Sequence, residues 1–372
     1  NSNSAFGSEA LDDCTTGSSN TGIGVQALQK NTTASYNTAV GRNALKVNTT
    51  ADYNTAVCYN ALTANTTGAL NTALGDQTLE ANTTGSNNTA VGVQTLDANT
   101  TGIDNVAVGN NALTANTTGN ENTGIGLQAL EKNTTASKNT AVGFKSLEET
   151  TTGADNTAVG SEALTTNTTA SHNTAVGVQA LNTSNASHNT GLGFKALRLN
   201  TTGQYNTAVG SVALDANTTA SNNTAIGYGS LNDNTTGDNN TAVGSLSLLS
   251  NTTGTDNVAV GGHALDANTT AHQNTAVGAY SLTNNTTGDN NTAVGQASLG
   301  VNTTGSYQTA VGRQALYDNT TGAENTALGA LALKTNSTGN YNVAVGKGSM
   351  YSNTTGERNT AIGVNALYAN TT

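Results

Sequence analysis

Aliphatic side chains recur along this chain at two fixed phases of a 17-residue period. The phrase runs from Asn37 to Tyr53 and begins again at Asn54. Numbering it 1 to 17 from its first Asn places position 1 at Asn3, Asn20, Asn37 and so on to Asn359, with Gln308 the one substitute, in 22 copies. The spacing from Asn173 to Asn189 is one residue short, a deletion inside Leu181–His188. Position 4 is Val, Ile or Leu except for Phe6, position 9 is Leu except for Met350, and position 2 is Thr or Val except for Ser4. Positions 2 and 4 share one face of a strand, because side chains alternate with period two.

Self-similarity at a fixed period decides the fold before local propensity does. The β-branched columns and two small-residue corners leave no room for helix turns within 17 residues. Each copy therefore reads as one coil of an all-β, parallel β-solenoid (β-roll) of 22 coils, without helices. Short strands are expected near positions 1–4, 8–10 and 12–14, each paired with the same position one copy on. Residues 1–372 are read as a single array, without separate caps, that would stack to roughly 105 Å at ~4.8 Å per coil.

The columns also suggest an inside and an outside. Position 4 and position 9 are assigned to the core, as Val40, Leu45, Val57, Leu62, Val91 and Leu96. Position 3 is always Ala or Gly. A solvent-facing strand position should drift to polar residues, so Ala39, Ala56, Ala73 and Ala90 are assigned to close packing against another chain. Position 5 is Gly in every copy but that of Cys58, as expected for a turn with positive φ or a close backbone approach. Asn at positions 1 and 12 is expected to cap turns and to stack into amide ladders.

Every Lys, Arg, Asp and Glu falls at positions 6, 7, 10, 11, 16 or 17, as do all Tyr and His. Those positions form the outside. So polar a composition, 9% charged and 4% aromatic, ordinarily marks disorder, but a disordered chain has no reason to hold Leu at one phase. A net charge of −11 with scattered basic residues disfavours nucleic acid and anionic membranes as partners. No apolar run approaches the ~20 residues of a membrane-spanning helix. Cys14 and Cys58 lie three copies apart, too far for a disulfide in a stacked array.

At Thr38–Gly41 the phrase Thr-Ala-Val-Gly resembles the Ser-Val-Ala-Ile-Gly phrase of the YadA-like head repeats of trimeric autotransporter adhesins. The longer phrase of Gly193–Val209 is similar to repeats of phage tail-fibre-like and bacterial surface proteins. The likeness extends over all 22 copies, with a longer period than the head repeat. It implies a parallel β-roll, trimeric assembly, an extracellular or cell-surface location and a binding or spacing role.

Asn-Thr-Thr or Asn-Ser-Thr at positions 12–14 is an N-glycosylation acceptor in form, as at Asn31, Asn48, Asn65, Asn82, Asn99 and Asn116; Asn87 and Asn239, at position 17, begin further acceptors. The competing reading of position 12 is a structural corner. His172, His188, His263 and His272 lack carboxylates at ligand spacing, acidic residues at position 10 stack at most two deep (Glu80 and Asp97, Glu131 and Glu148), and no nucleophile–base constellation is visible. Gly22-Ile23-Gly24 lacks the rest of a dinucleotide fingerprint. No metal, cofactor or enzymatic activity is therefore expected. The sequence favours an extracellular structural fibre or adhesin shaft whose partners are copies of itself, with cell-surface glycans or matrix as further candidates. The alternative is an ice-binding solenoid using the Thr columns at positions 13 and 14.

Overall fold

The computed structural model describes residues 2–372. The protein is an all-β parallel solenoid with a 17-residue repeat and no helices, and each of the 22 copies contributes one three-residue strand at positions 2–4. The chain divides into two compact units, one ending at Ser187 and one running from His188 to Thr372, so the division falls inside the shortened copy. The first unit carries β1 (Ser4–Phe6) to β11 (Thr174–Val176), and the second β12 (Thr190–Leu192) to β22 (Thr360–Ile362). Within each unit, consecutive strands pair in parallel and in strict register, as in Thr38 with Thr55, Ala39 with Ala56 and Val40 with Val57.

The other two expected strands do not form. Residues at positions 7, 9 and 17 adopt left-handed backbone, with φ of 51–66°, 47–54° and 56–64° respectively. An extended strand cannot pass through such residues. The backbone still bonds to its neighbours there: Leu28 N donates to Ala44 O at 3.0 Å and Lys30 N to Lys46 O at 2.9 Å. Positions 6–11 thus make turns stitched to the next coil, and only positions 2–4 make a sheet. Leu in the left-handed region is unusual, since its Cβ crowds the following carbonyl. Inter-coil hydrogen bonds on both sides of it hold the conformation.

The interior reverses half of the assignment made from the columns. Leu45, Leu62 and Leu96 are fully buried. Ala39, Ala56, Ala73 and Ala90 are fully buried too, within the single chain, and so are not a surface for another. Val40, Val57 and Val91 point outward and are half-buried. The physical reason is volume. The strand's inner side faces the Leu of position 9, and the Asn columns and the small residues of position 8, such as Ala44 and Thr78, fill the rest of the interior. At Gly22 an added Cβ would already lie 3.4 Å from Leu11 Cγ, so only Ala or Gly fits. The β-branched residues are left to the outer side of the pleat.

Position 5 needs glycine. Its φ is 126–139° in all 21 glycine copies, and a Cβ on Gly92 would lie 2.7 Å from the Gly109 carbonyl oxygen of the next coil. Cys58 sits in this column at φ 102°. Cys58→Gly is expected to stabilise the protein by about 1 kcal/mol, strain relief of ~1–3 kcal/mol exceeding the ~0.5–1 kcal/mol of unfolded-state freedom that Gly adds. A urea midpoint that falls on this substitution would count against the strain argument. Cys14 and Cys58 are both free thiols.

The deletion is absorbed by one side chain. In intact coils the position-13 carbonyl accepts two amides from the preceding coil, as Thr49 O does from Thr32 N and Thr33 N. In the shortened coil the Asn185 side-chain oxygen takes both, from Thr168 N and Thr169 N at 3.1 Å each.

Candidate interaction surface

Two buried amide columns position everything that faces outward. At position 12, Asn48 Nδ2 donates to Asn31 Oδ1 of the preceding coil at 3.1 Å and to its own coil's Ala51 O at 3.0 Å. At position 1, Asn37 Nδ2 donates to the same Ala51 O at 2.9 Å, while Asn37 N donates to Asn20 Oδ1 at 2.9 Å. The two columns meet on the position-15 carbonyl, and side-chain space there is short, a Cβ on Gly85 lying 2.4 Å from Asn82 Oδ1 and from Gly102 O, so that residue is always Gly or Ala. Where the column is interrupted by Thr150 and Ser184, the preceding Asn133 Oδ1 and Asn167 Oδ1 are left without partners. A buried amide satisfied this fully is a structural element.

The ladder also buries most of the acceptor sequons. Asn31, Asn48, Asn65, Asn82, Asn99 and Asn116 have no exposed surface, and their amides are engaged in the ladder. They are closed to a glycosylating enzyme in the folded protein. Asn87 and Asn239 stand exposed at left-handed corners with φ 60°. Most position-13 Thr hydroxyls are also engaged, donating to the position-13 carbonyl one coil on, as from Thr32 to Thr49 O at 3.1 Å. Among the Thr columns, those at positions 2 and 14 remain turned to solvent.

With Ala inside, the outer side of the sheet presents a Thr–Val pair from each coil. None of the 22 copies places a charge at positions 2 or 4. Aliphatic residues here are well exposed: Ile23 by 42%, Leu74 by 45%, Leu192 by 45% and Val311 by 38%. Position 6 beside it adds Val25, Val93, Leu127, Phe144, Val178 and Phe194, all exposed. Contiguous apolar surface of this kind marks interaction sites on soluble proteins. The inward assignment of position 4 had hidden it. The available signal was size tolerance: position 4 accepts Val, Leu, Ile and Phe, whereas position 3 never exceeds Ala.

Charges and rings lie on the corners, where like side chains align between coils. Tyr36 and Tyr53 stack at 4.9 Å with planes 1° apart, His263 on Tyr280 at 5.2 Å, and Arg198 pairs with Asp215 at 2.8 Å. His263 does have a carboxylate beside it, Asp266 at 2.9 Å, although no group of three potential metal ligands occurs among the described residues. No helix among them is long and apolar enough to cross a membrane.

No protein-family model matches the chain, and no curated protein is significantly similar to it.

Stacking has an electrostatic cost where like charges align. Burial, and then the neighbouring Glu80 carboxylate, push the Asp97 pKa above its ordinary range. A carboxyl with a raised folded-state pKa is a stability penalty when ionised. That penalty is absent where Asp97 is protonated in both states and full above the raised pKa. Asp97→Asn, a residue position 10 already accepts at Asn182 and Asn232, is expected to raise the urea midpoint at pH 7 and to leave it unchanged near ~pH 2.5. A midpoint that falls at pH 7 would contradict the sign.

Proposed function

We propose that this chain is a non-catalytic structural module of an extracellular fibre, of the adhesin-shaft or phage-fibre kind, which associates laterally with copies of itself. The observation that carries this reading is the outer strand face. It is uncharged in every copy, lined by exposed Val, Ile and Leu, and confined to one side of the coil, while every charge sits on the other columns. A repeated face suits a partner with the same repeat, and a second copy of this chain has it. The likeness of the Thr-Ala-Val-Gly phrase to adhesin head repeats and fibre repeats supports the same reading. Extracellular location follows from that likeness.

Sedimentation velocity tests it. The native protein should sediment as an oligomer, and Val142→Lys with Val176→Lys and Val209→Lys should return it to monomer with an unchanged circular dichroism spectrum. A native protein that stays monomeric at about 100 μM, well above the Kd expected of a specific interface, would overturn the association.

The outward, mostly half-buried Thr column at position 2 favours one other reading, a face that binds ice through regularly spaced hydroxyl and methyl groups. Thermal hysteresis in a solution of the purified protein, lost in the same lysine variants, would replace the first reading with this one.

A further inference from the structure

A cleft interrupts the regular surface of the second unit. It has a volume of about 300 Å³ and is lined by Leu331, Lys347, Gly348, Tyr351, Asn365 and Tyr368. Its origin is a missing side chain. Position 7 projects a side chain from almost every coil, but Gly348, between Leu331 of the preceding coil and Asn365 of the next, has none, and Asn365 Oδ1 lies 2.5 Å from where a Gly348 Cβ would stand. The Gly348 backbone is buried and forms the floor, with φ 66° like its column neighbours. Tyr351 and Tyr368 make one wall, stacked at 5.0 Å with planes 11° apart. Their faces are turned toward each other.

The chemistry of the lining is one-sided. Lys347 is exposed and has no ion-pair partner among the described residues. No Asp or Glu lines the cleft, in a protein whose net charge is −11. The Lys347 ammonium offers donors only, while the Asn365 amide and the phenols both donate and accept. Leu331 supplies an apolar flank. Clefts from ~300 Å³ upward accept small-molecule ligands.

We propose that this cleft binds a carboxylated sugar residue, with the carboxylate on Lys347 and Asn365 and an apolar ring face against Leu331. The unpaired ammonium, with no carboxylate among the lining residues, selects the anion, and the apolar wall selects a ligand with a hydrocarbon face over a bare inorganic ion. The site is independent of the strand face and stands whether or not the chain self-associates.

Saturation-transfer difference NMR with sodium glucuronate, and with glucose as the neutral control, tests it. Glucuronate should give saturable transfer with a Kd on the order of 1 mM, and glucose should bind about two- to fivefold more weakly, as loss of an exposed ion pair dictates. Lys347→Ala should reduce glucuronate binding by about the same factor and abolish the preference over glucose. Gly348→Gln should eliminate binding by filling the gap. Gln26, Gln77, Gln94 and Gln128 hold the same left-handed backbone in this column, so the variant is compatible with the fold. Absence of transfer at about 20 mM glucuronate, equal binding of glucose, or native binding by Gly348→Gln would each overturn the proposal. If Gly348→Gln does not fold by circular dichroism, unchanged binding and preference in Lys347→Ala would overturn it instead.

Discussion

Asn122→Ala is expected to lower stability by about 3 kcal/mol, although the substitution is small and touches no charged group. Asn122 Oδ1 accepts Asn139 N at 3.0 Å, and its Nδ2 donates to Ala136 O at 2.8 Å and to Asn105 Oδ1 at 3.2 Å. Truncation strands the buried Asn139 amide, at ~1–3 kcal/mol, and removes two further bonds at ~1 kcal/mol each. The Ala136 carbonyl keeps Asn133 Nδ2 at 3.1 Å, and Asn105 Oδ1 keeps Asn122 N at 3.0 Å, which limits the loss. Asn122→Gln is the control. Gln308 holds the same column natively: its amide nitrogen reaches Gly322 O, and its Oε1 accepts Asn325 N at 3.1 Å. The longer side chain should therefore cost under about 1 kcal/mol. Hydrogen exchange should show the alanine variant opening first around residues 105–139, since each repeat contacts only its neighbours. Equal midpoints for the two variants would remove the ladder from the account of stability.

The second large effect tests which side of the strand is inside. Ala141 is fully buried in β9 (Thr140–Val142), and Val142 beside it is half-buried on the outer face. Ala141→Val adds two methyl groups where the interior has no space, at about 2–3 kcal/mol. Val142→Ala removes the same two groups from a surface position, at about 0.5 kcal/mol. The pair is informative because a strand facing the other way would invert the order. Chemical denaturation of both variants at a concentration where the protein is monomeric decides it, and a costlier Val142→Ala would refute the interior described above.

How much of this was legible follows from what each column constrains. The charged residues name the outer corners directly, because an unpaired charge inside a coil this narrow would be prohibitive. Gly at position 5 announces its positive φ. Left-handed backbone at the Leu of position 9 has no such signature: Leu28 or Leu130 looks like any core leucine, and its φ of 54° is imposed by bonds to the adjoining coils. The expected strand at positions 8–10 fails for that reason. The cleft was illegible because Gly348 is unremarkable by itself; only the alignment of Leu331, Gly348 and Asn365 in one column makes a gap of it. Asn185 likewise reads as a corner residue until two amides converge on its side chain.

By itself the sequence determined the period, the parallel stacking of like on like, the buried leucines and the division between corner and coil. These are matters of translation along the chain, and a repeat states them 22 times over. The direction in which the strand faces was decided by the tertiary structure alone. Alternation with period two looks identical from either side, and Thr-Ala-Val can bury its middle or its flanks. The choice falls to the leucine and the two asparagines arriving from elsewhere in the coil, which leave space for a methyl group and nothing larger.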